Sequence, residues 1–199
     1  MKFNKRFYLS IDMDYFNEYP YCAEPFVENI IILAKKRGIE IRSVMNHQQL
    51  LPYVNSSGAK ILVNVDRHSD LYHKKIQRLG CGSWVSYVNW RKEGSYLWIR
   101  DSIIKAGSCN FKDNADFSYY ETYKKWNAFV DWNESKTIRV LPKNLNIDLN
   151  RCAGVGVCMS PYYSLHCVAN TFKNIVKKYD LLYKKGNRWE DNVRCVLPP

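Results

Sequence analysis

In the segment AKILVNVDRHSDL, residues 59–71, a nearly unbroken apolar run gives way to Asp66, His68 and Asp70. A strand with one wet face alternates apolar and polar residues, whereas one covered on both faces, as in a parallel sheet, reads as a continuous apolar run. The segment therefore predicts a central parallel strand. In extended backbone alternate side chains share a face, so the strand exit would project three metal-type ligands to one side.

Outward from this point, RFYLSID (6–12) reads as a second buried strand and IEIRSV (39–44) as a third. Between them, EPFVENIIILAKKRG (24–38) has Pro25 in its first turn, basic residues in its last and Gly38 as a stop, which marks a helix. HQQLLPYV (47–54) starts a short helix that Pro52 is expected to interrupt. The order β-α-β-α-β predicts an α/β fold, a three-layer αβα arrangement around a mostly parallel sheet, in one domain spanning 1–199. GSWVSYVNW (82–90), SYLWIR (95–100), KTIRVLP (136–142) and CAGVGVCMS (152–160) are further candidate strands, and 108–135 reads as irregular. Ser160-Pro161 are expected to cap a last helix with Leu165, Ala169, Phe172, Val176 and Tyr179 along one stripe. NRWEDNVRCVLPP, at the end, carries no clear pattern.

Composition narrows the class. An apolar content of 46% can fill a core, and seven prolines and nine glycines are too few for a linker-rich chain. No apolar run reaches the ~18 residues of a membrane span. Charge enters MKFNKRFYLSIDMD too early for a secretory signal, so a cytoplasmic location without a membrane partner is expected. The seven cysteines form no CxxC pair and read as mostly buried thiols rather than a disulfide framework or zinc knuckle. A net charge of +11, scattered along the chain, reads as a soluble basic surface or as a match for an acidic partner, polypeptide or nucleic acid, and charge alone does not choose among them. Without an RNP, zinc-finger or helix-turn-helix signature, nucleic acid is not the expected partner.

The chemistry collects at strand ends. Asp12 and Asp14 close the first strand as Asp66, His68 and Asp70 close the central one, and His47 lies just past IEIRSV. Consecutive parallel strands are expected to be neighbours, and open α/β sheets place their sites at the carboxyl ends. Each residue alone has an ordinary reading, a turn-forming aspartate or a core histidine, but all six should converge. Four carboxylates would balance two divalent cations with the histidines neutral. Mixed carboxylate and imidazole ligation suits Mn, Fe or Zn, and the lack of a thiolate speaks against structural zinc. Two ions roughly 3.5–4 Å apart would share a water and bring its ionisation near neutral pH. His73 follows the cluster out of phase and His166 begins the last helix, which leaves both as weaker, catalytic candidates.

These residues resemble a known family. DRHSD is similar to the D-A-H-x-D signature of the arginase, agmatinase and deacetylase superfamily, and SIDMDYFN to its S-x-D-x-D-x-x-D-P segment. The S-x-D-x-D piece comes first here, then His47, then D-x-H-x-D, the order a circular permutation would leave. With GSW after the second motif and a late GVCMSP, the chain resembles a permuted group that includes peptide arginases. The resemblance implies two manganese ions, one held by His47, Asp66, Asp70 and Asp12, the other by Asp66, His68, Asp12 and Asp14. It also implies conversion of arginine side chains in a ribosomally made precursor peptide to ornithine and urea, with Asp70 taking up a proton. A glutamate should pair with the guanidinium and a histidine shuttle protons: Glu18 or Glu24 for the first, His73 or His166 for the second. Asn17-Glu18 stand where the family segment ends in Asp-Pro.

Three rivals remain open. SIDMDYF also resembles the first carboxylate motif of lesion-bypass DNA polymerases, whose longer chain, steric-gate tract and later carboxylate pair are missing here. A deacetylase or amidohydrolase on the same fold would use one zinc and leave Asp14, Asp70 and His47 surplus. A non-catalytic peptide-binding descendant should have lost a ligand, and none of the six is lost.

Overall fold

The computed structural model describes residues 1–71, 79–101 and 132–181. Six strands, β1 (Phe7–Asp12), β2 (Ile41–Val44), β3 (Ile61–Val65), β4 (Ser95–Arg100), β5 (Glu134–Arg139) and β6 (Cys152–Cys158), form one sheet in the order β2-β6-β1-β3-β4-β5. Every pairing is parallel. Helices α1 (Ala23–Lys36), α2 (Leu51–Ser56) and α3 (His166–Lys178) flank it. The protein is thus α/β with helices on both faces, as the apolar run of β3 requires.

Alternation along β1 sorts the two faces. Phe7, Leu9 and Ile11 join Val27, Ile30 and Ile31 of α1 and Phe172 and Ile175 of α3 in one buried cluster. Tyr8 faces the other way, with Leu50, Val54 of α2 and Trp84. Ser10 and Asp12 share that second face and are buried too, so this layer is apolar below and polar at the carboxyl end. The chain leaves β1 towards β2 through α1 and returns from β2 to β3 through α2. Right-handed crossovers running in opposite directions along a sheet place their helices on opposite faces, as found here. β1 and β3 therefore flank the point where the chain's direction across the sheet switches, the usual crevice for a ligand. Among the described residues no helix is long and apolar enough to cross a membrane.

Four expectations need correction. β2 is not beside β1: β6 lies between them and pairs with both. Pro52 does not interrupt a helix but stands in the first turn of α2, where a missing N–H costs nothing, while His47–Leu50 form a separate 3-10 turn before it. GSWVSYVNW is no strand; Trp84–Tyr87 form a 3-10 turn instead. Ser160-Pro161 do not cap α3, which starts at His166 after Leu165, and its buried stripe is Val168, Ala169, Phe172 and Ile175 with Leu165 exposed. The segment 102–131, most of the stretch read as irregular, and the terminal segment lie outside the described residues, as does His73.

The edge position of β2 raises a reach problem for His47, and glycine solves it. Gly156 of β6 stands opposite Arg42 of β2 and Ser10 of β1. A Cβ there would lie 2.5 Å from Leu50 Cδ1 and 3.1 Å from Leu50 Cγ. The bare backbone lets the His47–Leu50 turn lie across β6 and deliver His47 above β1, where its Nε2 is 2.7 Å from Ser10 Oγ. Leu50 is fully buried, so it cannot swing clear. Gly156→Ala should cost about 1–3 kcal/mol by overpacking, read as a lowered denaturation midpoint; an unchanged midpoint would show that the turn is not seated on the glycine.

Candidate metal centre

Register across the sheet builds the centre. Asp12 is paired with Cys158 of β6, and because Ile11 pairs with Val65, Asp66 follows on the other side of Asp12. Three neighbouring strands thus present Cys158, Asp12 and Asp66 in one row at their carboxyl ends. Asp14 enters from the 3-10 turn after β1, whose start Asp12 Oδ1 caps by accepting from Asp14 N–H at 3.0 Å. Asp66 does the same for the next loop, its Oδ1 accepting from His68 N–H at 2.8 Å. Arg67 N–H reaches Asp14 Oδ1 at 3.3 Å and ties the two loops together.

All six residues expected to converge do so. His47 Nδ1 faces three carboxylate oxygens, Asp70 Oδ2 at 2.8 Å and Asp12 Oδ2 and Asp66 Oδ2 at 3.2 Å each. His68 Nδ1 lies 2.9 Å from Asp14 Oδ2 and 3.8 Å from Asp66 Oδ1. Asp66 thus turns one oxygen to each histidine. His47, Asp66 and Asp70 form one group of ligand atoms within 4.8 Å of one another, Asp14, Asp66 and His68 a second, and Asp12, His47 and Cys158 a third. These buried groups could hold metal ions. The fit is visible in two orphans: His47 Nδ1 and Asp14 Oδ2 are buried yet make no hydrogen bond despite their close neighbours. Buried polar atoms that approach without hydrogen-bond alignment, among like charges, could be satisfied by a shared cation.

Supporting contacts hold the ligands in place. Trp84 Nε1 donates to Asp70 Oδ2 at 2.6 Å, and its ring lies 5.0 Å from that of His47. Asn64 Nδ2 donates to Asp66 Oδ2 at 3.0 Å, and Trp98 Nε1 to the Asp66 carbonyl at 2.9 Å. Ser160 Oγ donates to Asp12 Oδ2 in a short bond. Two of the non-glycine residues with left-handed backbone, Asp70 (φ 52°) and Ser160 (φ 46°), are in this cluster. Aspartate tolerates that region and serine less so, which marks the Ser160 turn as held by its surroundings.

The weaker candidates fare differently. Glu18 is exposed and pairs with Arg67 Nη1 at 3.5 Å, at the rim of the Asp14 side. Glu24 is exposed in the first turn of α1. His166 is exposed at the start of α3, with Nδ1 3.3 Å from Asn170 Nδ2, and belongs to none of the ligand groups. Asn17 holds the rim loop, donating to the Tyr163 carbonyl at 2.7 Å and accepting from Leu165 N–H at 2.9 Å. The sequence reading gives no site role to Cys158, Ser160, Trp84 or Ser10, although the motifs GVCMSP, GSW and SIDMDYFN contain them. It takes the cysteines as mostly buried thiols and counts no thiolate among the ligands. Of the five described, only Cys22 and Cys158 are buried, and Cys158 stands within the cluster. The small-residue pattern of CAGVGVC was the available signal for a strand that something crosses closely.

Burial and mutual repulsion set the ionisation. Burial, then the Asp12 charge, raises Asp14 to about 7 against the opposing pull of His68. Burial, then Asp70 and Asp12, raises Asp66 to about 7, with His47 opposing. Burial also raises Asp70, against His47. For Asp12 burial is outweighed by His47, Ser160 and the Asp14 N–H, and its carboxyl is lowered. Burial disfavours the charged His47 ring, but Cys158, Asp12 and Asp66 outweigh it and raise the imidazole well above its usual value.

No protein-family model, curated protein or solved structure matches this chain.

A signed pH dependence follows from the raised carboxyls. Between the ordinary carboxylate value near 4 and about 7, the metal-free fold holds protons that the unfolded chain has released, so its stability falls as pH rises through that window. His47, also raised, contributes stability below its unfolded value that is lost as pH rises through the folded one. A divalent ion held there would replace those protons and so bind better at higher pH. Thermal unfolding should show a larger Mn2+ stabilisation at about pH 8 than at about pH 5.5; equal shifts at both would contradict the assignment.

Proposed function

We propose that the protein is a two-metal hydrolase of arginase-like design that converts arginine side chains of an acidic precursor peptide or protein to ornithine, releasing urea. The observation that carries this reading is Asp66, one oxygen of which faces His47 and the other His68. A carboxylate so placed suits two cations rather than one. His47, Asp70, Asp12 and Asp66 would hold one ion and His68, Asp14, Asp12 and Asp66 the other, with Mn2+ favoured by the oxygen-rich donor set. Bound there, the pair would polarise a guanidinium and supply a water that ionises near neutral pH.

The chain's own residues do the rest. With an ion bound, Ser10 Oγ, 2.7 Å from His47 Nε2, would accept from its N–H and leave the Nδ1 lone pair to the ion. Asp70, held by the Trp84 N–H, would take up the proton that the water gives up. Glu18, whose pairing with Arg67 shows that it can face a guanidinium, is our candidate for orienting a substrate guanidinium at the rim, in exchange for that pairing. Asp12 and Asp66 sit in a layer that excludes water, where a charge is weighted more heavily than in solvent.

Access favours a side chain presented on a polypeptide. The ligands are buried except His68, whose ring is partly exposed and lies 5.3 Å from that of the exposed Tyr163. Tyr162 and Leu165 continue the exposed apolar rim. A net charge of +11 would draw an acidic partner, with an encounter rate that falls as salt rises.

Mn2+-loaded protein should release urea from an acidic arginine-containing peptide and much less from free arginine. Urea from neither would overturn the reading, and equal urea from both would overturn the peptide substrate. Asp12→Asn should abolish urea release while far-ultraviolet circular dichroism stays native. Trp84→Phe, which removes one donor to Asp70, should lower metal affinity or turnover by about 10–100-fold.

A further inference from the structure

We propose that the Cys158 thiol is a ligand of the His47 half of the centre, making that half the softer of the two and selective for a thiophilic divalent ion such as Zn2+ or Co2+ over Mn2+. The inference rests on the metal-centre reading above. It makes the centre a pair of chemically unequal sites, suited to two different ions.

The placement is built into the sheet. Cys158 ends β6 directly beside Asp12 in the parallel register, so its Cβ rises on the same face as the Asp12 carboxylate. Its sulfur, one Asp12 oxygen and one His47 nitrogen lie within 4.8 Å of one another. His47 is 1% exposed, and its Nδ1 is the buried atom without a hydrogen bond. The Cys158 group and the Asp66–Asp70 group thus share His47, so the sulfur stands beside the same space.

The ordinary reading of a buried cysteine is a small apolar filler. Cys158 does touch the apolar layer beneath it, but its sulfur also lies 3.3 Å from Ser160 Oγ and 3.4 Å from the Met45 carbonyl. The sulfur therefore has two oxygen neighbours beside the apolar layer it touches. Ser160 bonds both the Asp12 carboxylate and this sulfur, and its left-handed backbone holds the hydroxyl between them. A filler would need none of this.

The other half differs in kind. Asp14, Asp66 and His68 offer oxygen and imidazole nitrogen alone, and a donor set without sulfur favours harder ions. On binding at the His47 half, the S–H bond breaks, the proton leaves to the buffer and the sulfur lone pair forms the bond to the ion. No electron is transferred, and no co-reactant is needed.

Cobalt reads this directly. Co2+ added to the full chain should produce a near-ultraviolet thiolate-to-cobalt charge-transfer band with the first equivalent bound. Cys158→Ser should lose the band while elemental analysis still counts cobalt on the protein; Cys167→Ser, altered on the exposed side of α3, should keep it. Cobalt bound without a band, or a band that survives Cys158→Ser, would overturn the thiol ligand and leave the two-metal reading standing. Failure to bind any cobalt would overturn both. If the serine variant does not fold, the unaltered protein supplies the test: one equivalent of Zn2+ should displace the Mn2+ of the His47 half and leave that of the His68 half. Displacement shared between the two halves would overturn the inference.

Discussion

Four carboxylates buried at the carboxyl ends of two adjacent strands are the constraint on which the molecule turns. Asp12, Asp14, Asp66 and Asp70 are each at most 4% exposed, and buried like charges are tolerated only when protonated or matched by cations. The chain supplies two imidazoles and a set of neutral donors, Trp84, Asn64 and Ser160, which steady the carboxylates without neutralising them. Arg67 stands at the rim, committed to Glu18. Two imidazoles do not match four carboxylates among the described residues, and bound divalent cations would supply the difference.

The remainder of the architecture can be seen as delivering that cluster. A wholly parallel sheet sends all its carboxyl ends to one edge, and the switch in chain direction between β1 and β3 opens the crevice there. The layer beneath is apolar and closely filled, with Trp84 and Trp98 fully or almost fully buried, so the ligands rest on a stiff floor. Gly156 then permits a turn from an edge strand to cross its neighbour. Each feature is local in cause and long-range in effect.

Much of this was legible in the residues. The apolar run of β3 announces burial on both faces, and paired aspartates at two strand exits announce a charged site. His47 was found for a partly mistaken reason: it follows a strand, but not one adjacent to β1. The insertion of β6 between β1 and β2 joins residues about a hundred positions apart, and no local pattern encodes such a pairing. Cys158 and Ser160 were missed for that cause. Trp84 was missed because aromatic and β-branched residues around it mimic a strand, while its indole N–H is committed to Asp70. Pro52 was misread because the same residue that breaks a helix interior is welcome in a first turn.

If the cluster holds two divalent ions, they would lie on either side of Asp66, which turns one oxygen to each histidine. The decisive measurement is anomalous diffraction from crystals grown with Mn2+. Two peaks per chain are expected, one beside His47 and one beside His68. A single peak, or none with the carboxylates closed on the imidazoles as protonated pairs, would contradict the two-metal reading.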